Sequence, residues 1–378
     1  MTDWDTAATR LGLFADVLPR AVASARAAGQ GDLAAGLPAS TFGPRTVTEA
    51  ALDEFFIAVN AAVRHMPSTV DVSASIDRCA TVADEIAGLG IAGANVAQPV
   101  PEIVGRRRKV FGATGYHHID FRADIRLPGS LAELDPYEAS TASVRVLASG
   151  TARRPWLIWV HGAAQGRPDD LYAFRAAHLH RRLGYNVVFP VLPAHGVRRH
   201  RSLAYPGLDP LTNVSVTLRA IAEVRALVSW IATHDPSEIS IVGTSLGGPV
   251  AAMVAGLEDQ IGSVLAVVPM LDMHATLAHH MSRGGSRGAA MAILMRSPAV
   301  RAVSSVIDPL GVEPAAVPDR RMVIGALNDR VTSVAAARRL HAHWGGRVHW
   351  YRGSHVGQAF SANVRTVTDR FLRLAPPA

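Results

Sequence analysis

Apolar residues recur at helical spacing in three blocks near the amino terminus: WDTAATRLGLFADVLPRAVASARAA, TVTEAALDEFFIAVNAAVRHM and DVSASIDRCATVADEIAGL. Gly and Pro break the period between them at GQGDLAAGLPAS and MPST, where turns are expected. After the linker GANVAQPVPEIVG the rhythm changes. HHIDFRADI and SVRVLAS alternate apolar with polar positions, which predicts antiparallel strands with one polar face. Continuous apolar strands follow at WLIWVHG, YNVVFPVL, EISIVGT, VLAVVPM, MVIGALN and VHWYRG. Helices are expected between and after them at DLYAFRAAHLHRRLG, VSVTLRAIAEVRALVSWIATH, GGPVAAMVAGLE, VAAARRLHAHW and SANVRTVTDRFLRLA. Strands apolar along their whole length and separated by helices predict a mostly parallel sheet covered on both faces, an α/β fold. Ligand sites in such sheets lie at the carboxyl ends of the strands. The chain therefore divides into a helical region over 1–105 and an α/β domain over 106–378.

Composition sets limits on this picture. With 378 residues, 49% hydrophobic and 18% charged, the chain can bury a large core. No run approaches the roughly 18 apolar residues of a membrane-spanning helix, and MTDWDTAATRLGLFADVL lacks the basic and apolar regions of a secretory signal. Cytoplasmic residence and no transmembrane segment are the resulting expectations. The single cysteine, Cys79, cannot form an internal disulfide, and its helical setting predicts a small core residue. The net charge of +7 comes almost entirely from arginine, because Lys109 is the only lysine. The arginines are scattered, apart from Arg106, Arg107, Arg108 and Lys109, so no nucleic-acid partner is expected and that run is read as a solvated segment between domains. A basic surface would still steer anionic substrates or acidic partners.

One stretch carries chemistry. GTSLGG places Ser245 between Gly243 and Gly247, directly after the strand EISIV and before a helix rich in small residues. A tight strand-to-helix turn brings backbone close on both sides of the serine, and glycine relieves the crowding. One reading is a nucleophile lifted out at the sheet edge, with a helix amino terminus behind it. The other is a glycine-rich turn in which Ser245 caps the helix.

From about His117 onward the chain resembles the α/β-hydrolase superfamily, and GTSLGG resembles its nucleophile elbow. The resemblance implies the α/β-hydrolase fold with a serine, an acid and a histidine in that chain order. His355, in YRGSHVGQAF after the last strand, is the implied base, flanked by Gly353 and Gly357. Asp329, at the end of MVIGALNDRVT, is the implied acid; Asp272, in VVPMLDMH, is its rival because some members place the acid there. The implied oxyanion donors are the amides of Leu246, after the nucleophile, and Ala163, in WLIWVHGAAQG, with His161 structural in that turn. The sequence HGAAQG departs from the HGGG form of one esterase group, so assignment to that group is not supported.

Between Pro269 and Arg320 the sequence carries an insertion with helix-like spacing, resembling the superfamily's lid at about 272–318. Met281, Met291, Ile293, Leu294 and Met295 either line a substrate pocket there or fasten the lid to the body. The histidine pairs His341/His343 and His178/His180 diverge on their helices and make poor metal sites. No metal, P-loop or dinucleotide motif appears, so no cofactor is expected.

The function these residues imply is a serine hydrolase cleaving a carboxylic ester through an acyl-enzyme on Ser245. The same residues would also serve an acyltransferase, a thioesterase or a carbon-carbon bond hydrolase, and the fold can serve as a non-catalytic binding module. An epoxide hydrolase or dehalogenase would need aspartate at position 245, a dienelactone hydrolase would need cysteine, and a prolyl oligopeptidase would carry a β-propeller. The expected partner is a small-molecule ester or acyl substrate. The amino-terminal helices are the segment through which a second copy would pair, or which would close over the cleft.

Overall fold

A strand sends alternate side chains to opposite faces of its sheet, so a strand apolar throughout has to be covered on both sides. The computed structural model describes residues 7–32, 36–62, 71–137, 140–150, 153–200, 203–283 and 285–373, and the expected MPST turn lies outside them. Within these residues the strands are β1 (Glu102–Phe111), β2 (Thr114–Arg122), β3 (Ala142–Leu147), β4 (Trp156–Val160), β5 (Asn186–Val191), β6 (Ile239–Thr244), β7 (Ile261–Val267), β8 (Arg321–Ala326) and β9 (Arg347–Tyr351). They form one sheet in the order β1-β2-β3-β5-β4-β6-β7-β8-β9. The four strands at the β1 end pair antiparallel, and those from β5 to β9 pair parallel.

The alternation is visible in the core. Trp156, Ile158 and Val160 of β4 join Ile239 and Ile241 of β6 on one face, under helices Pro210–Ala232 and Gly247–Leu257. Leu157 and Trp159 join Val242 on the other, where Leu179, Val364 and Phe371 pack from helices Ala176–Arg181 and Ala362–Leu372. The single helix expected over 170–184 is two short ones, Asp170–Ala173 and Ala176–Arg181, because Arg175 between them takes left-handed backbone at φ 55°.

The basic run also differs from expectation. Arg106 to Lys109 lie within β1, which begins inside the stretch read as a linker, and they pair with β2, Arg106 opposite Ile119 and Lys109 opposite Tyr116. Their side chains are solvated as expected. Four consecutive charges hide a period of two, yet they suit an edge strand, where charge discourages pairing with other chains.

Helices Ala7–Ala15, Val17–Gln30, Pro44–Ala62 and Val72–Ile86 precede the sheet. Asp71 caps the last of these, accepting from the Ala74 N–H at 2.9 Å, and Cys79 on it is buried in the core. Between β7 and β8 stand helices Met273–Met281, Gly285–Arg296 and Pro298–Ser304, and Val72–Ile86 packs against the latter two. Among the described residues no single helix is long and apolar enough to cross a membrane; Gly285–Arg296 and Pro298–Ile307 meet that length and composition only as a pair bent by 52°.

Candidate active site

The turn after β6 holds Ser245 at φ 54°. Left-handed backbone costs a non-glycine residue about 1–2 kcal/mol, so it persists only where the surroundings determine it. Here the Ser245 N–H donates to the Val267 carbonyl at 2.9 Å, while the Ser245 carbonyl accepts from the N–H groups of Gly248 at 2.9 Å and Met270 at 3.0 Å. A Cβ on Gly243 would strike the Gly247 carbonyl and Ala251, and one on Gly247 would strike the carbonyls of Val160 and His161. The two glycines thus let the helix Gly247–Leu257 close onto β6 and β4. Ser245 does not cap that helix: Leu246 stands at the N-cap position, and no side chain makes a capping bond there.

The Ser245 hydroxyl meets a histidine. His355 Nε2 lies 2.9 Å from Ser245 Oγ, and His355 Nδ1 lies 2.9 Å from Asp329 Oδ2. With Nδ1–H donating to the carboxylate, Nε2 is left to accept from the serine. Asp329 also accepts from the N–H groups of Val331 at 2.9 Å and Thr332 at 2.7 Å, and from the Thr332 hydroxyl at 2.8 Å. Burial opposes ionisation of Asp329, but the adjacent His355 and the Thr332 donors outweigh it and hold the carboxyl below the ordinary range. Burial likewise opposes charge on His355, and Asp329, with help from Asp53, overcomes it and raises the imidazole above its ordinary value. The rival Asp272 sits elsewhere, capping helix Met273–Met281 by accepting from the Ala275 N–H at 2.9 Å.

Gly162 in the loop after β4 packs against Ser245, and a Cβ there would stand in tight contact with the Ser245 Cβ at 3.1 Å and the Thr244 carbonyl at 3.3 Å. The loop is fixed from several sides. The Gly162 N–H donates to Gln165 Oε1 at 2.6 Å, the Gly166 N–H to Asp170 at 2.6 Å, and the buried Arg145 donates to the Gly166 carbonyl at 2.7 Å. His161 donates from Nδ1 to the Gly162 carbonyl at 2.8 Å and accepts at Nε2 from the Leu192 N–H at 3.1 Å. Burial, with His195 nearby, pushes its pKa down to about 3, which keeps it neutral in that bridging role. Ala163 follows on this loop and borders a cavity; Leu246 follows Ser245 at the helix start.

The cavity holds about 780 Å³. Phe56, Ile57 and Ala61 line it from helix Pro44–Ala62, and Leu277, His280 and Met281 from helix Met273–Met281. Among the described lining residues the full charges are Arg167 and Arg199, and none is acidic. Arg198, beside this wall, is held to Glu223 by two bonds of 2.5 and 2.7 Å, which ties the loop after β5 to helix Pro210–Ala232. Of the expected pocket residues, Met281 borders the cavity, whereas Met291, Leu294 and Met295 are buried in the hydrophobic core away from its wall and Ile293 is 62% exposed. Gly285–Arg296 spends its apolar face on core packing, so spacing alone could not separate lining from fastening.

Helix Pro44–Ala62 contributes more than a wall. Its Asp53, fully buried, accepts from backbone on both sides of the His355–Asp329 pair. The sequence analysis did not single out Asp53, which stands within the helical block TVTEAALDEFFIAVNAAVRHM. A charge with no local partner was the sole available signal.

A nine-stranded, largely parallel sheet with a strained serine turn at a strand end defines the class: the chain has the α/β-hydrolase fold. It matches the family described as alpha/beta hydrolase domain containing 18 over residues 118–290. Two uncharacterized Mycobacterium tuberculosis proteins, from strains CDC 1551 / Oshkosh and H37Rv, are each 35% identical to it over 255 residues, 66% of this chain and 60% of the relative. The match therefore spans less than two thirds of those relatives. Among solved structures, an acetyl xylan esterase from Paenibacillus sp. R4 is similar with TM-score 0.51 and 14% identity, over 82% of this chain and 96% of that one. Acetyl xylan esterase 1 from Thermoanaerobacterium sp. is similar with TM-score 0.53 and 13% identity, over 83% and 96%. At such identities the likeness is one of fold.

Proposed function

We propose that the chain is a serine hydrolase that cleaves a carboxylic ester through an acyl-enzyme on Ser245. The observation that carries this reading is the relay from Ser245 through His355 to Asp329, with both links at 2.9 Å. His355 takes the Ser245 proton as Oγ attacks the ester carbonyl, and Asp329 stabilises the imidazolium that forms. The amides of Ala163 and Leu246 receive the developing oxyanion; such donors are worth about 3–4 kcal/mol each. His355 then protonates the leaving alcohol, and water, deprotonated by the same imidazole, releases the acid and restores Ser245. In this reading the hydrolase domain begins with β1 at Glu102 rather than at 106, about 272–318 forms its lid, and helix Pro44–Ala62 of the amino-terminal region closes over the cleft. The largely apolar cavity wall favours an ester with an apolar acyl or alcohol part.

The test needs no prior substrate. The protein and its Ser245→Ala variant are incubated with a fluorophosphonate, the adduct is located by peptide mass spectrometry, and an ester and thioester panel follows. An adduct confined to Ser245 with ester turnover is the expected result. A folded protein that takes no adduct, or one whose adduct survives Ser245→Ala, overturns the reading, and preference for thioesters would redirect it to the acyl-transfer alternatives.

A further inference from the structure

Helix Pro44–Ala62 puts Glu49, Asp53, Phe56, Ile57 and Asn60 along one side, at the spacing of successive turns. The later residues border the cavity. The earlier ones reach the loops that hold His355 and Asp329. Asp53 Oδ2 accepts from the His355 N–H at 2.9 Å and the Arg330 N–H at 3.0 Å; Oδ1 accepts from the Val356 N–H at 2.8 Å and the Ser354 hydroxyl at 2.9 Å. One carboxylate thus binds four donors, three from the histidine loop and one from the aspartate loop. Glu49 Oε2 supports it from the preceding turn, accepting from the Ser354 N–H at 3.1 Å and the Tyr351 hydroxyl at 2.8 Å. A Cβ on Gly353 would meet Glu49 and the Tyr351 ring, and one on Gly357 would meet Glu49, so a larger residue at either position would displace the Glu49 carboxylate. A buried carboxylate is expensive unless hydrogen-bonded, and here its donors are three backbone N–H groups and one hydroxyl of the two loops themselves.

We propose that Asp53 is a positioning residue: it clamps the His355 loop to the Asp329 loop and so sets the imidazole between Ser245 and Asp329. The inference rests on the serine hydrolase reading only for its kinetic consequence. Through that clamp the amino-terminal helix becomes part of the site, and the face that fixes the histidine continues as the face that meets substrate.

The charge of Asp53 also acts on His355. The groups facing the imidazole are Asp329 and Thr332 from the loop after β8, Ser245 from the elbow and Asp53 from the helix. Glu49 lies behind Ser354; Glu54 pairs with Arg330 and with Arg283, and His280 donates to the Val331 carbonyl. Asp53 itself is pushed up to about 6 by burial and by Asp329.

The experiment uses the full chain and two readouts, the rate of fluorophosphonate labelling against pH and the His355 titration followed by NMR, its signals assigned by difference from His355→Gln. Asp53→Asn is expected to slow labelling about 10- to 100-fold and to shift the His355 titration to lower pH, since a neighbouring negative charge is lost. Ser354→Ala, which leaves three donors on Asp53, is expected to slow labelling several-fold, and it decides the matter if Asp53→Asn does not fold. Wild-type rates and an unmoved titration in folded variants overturn the proposal while leaving the hydrolase reading intact. Absence of labelling in wild type, with the titration still displaced in Asp53→Asn, would overturn the hydrolase reading and keep the clamp.

Discussion

The two halves of the proposed catalytic centre are built differently. The serine half is local: Ser245, Gly243, Gly247 and their bonds lie within one strand-turn-helix unit and the strand ends beside it. The acid-base half is assembled at long range, since the loops after β8 and β9 are bridged by Asp53, 302 positions from the His355 it holds. A nucleophile can be presented by a sharp turn alone, because steric strain in a few residues determines where its hydroxyl points. A histidine on a loop needs its orientation supplied from outside, and here a helix remote in sequence does so.

The largest expected effect falls on the local half. Ser245→Ala should abolish ester turnover, a loss on the order of 10⁵–10⁶-fold where a serine triad operates, as read by initial rates with a fluorogenic ester. On the assembled half, Asp329→Asn should cost about 10⁴-fold by favouring the wrong imidazole tautomer. The same assay on Asp272→Asn should return near wild-type rates, because Asp272 only caps a helix. Equal losses in the two variants would break the assignment of the acid.

Smaller effects sharpen the contrast. Gly247→Ala forces a side chain against the carbonyls of Val160 and His161, so denaturant unfolding should show a loss of about 1–3 kcal/mol. An unchanged midpoint would mean that the elbow is not sterically determined. The labelling rate should also fall on the acid side with a midpoint above 6.5, the ordinary imidazole value, because Asp329 raises His355. The sign follows from chemistry: the base must be neutral, and a raised pKa keeps it protonated to higher pH. Asp329→Asn removes that charge and should move the midpoint down. Last, Met281→Ala should change KM for longer acyl chains by about 2- to 10-fold through lost apolar contact, whereas Ile293→Ala, at a 62% exposed position, should leave it unchanged.

Much of this architecture was legible in the residues. Continuous apolar strands such as WLIWV and EISIV required a sheet covered on both faces, and β4 and β6 are buried along their whole length. The glycine spacing around Ser245 marked a strained turn, because the collisions that demand glycine arise within the motif and from the strand beside it. What depended on distant contacts was not legible. Four adjacent charges concealed the pairing of β1, Asp272 stood as a rival to the favoured Asp329 because both are carboxylates at strand ends, and Met281 differed from Met291 in nothing but the surface it met. Asp53 is the clearest case, since an acid on an amphipathic helix predicts solvent until the donors of two other loops close around it. Periodicity and steric demand belong to neighbouring residues and survive in any fold. The burial of a charge and the partner of a side chain are properties of chain segments that meet only when the sheet has formed.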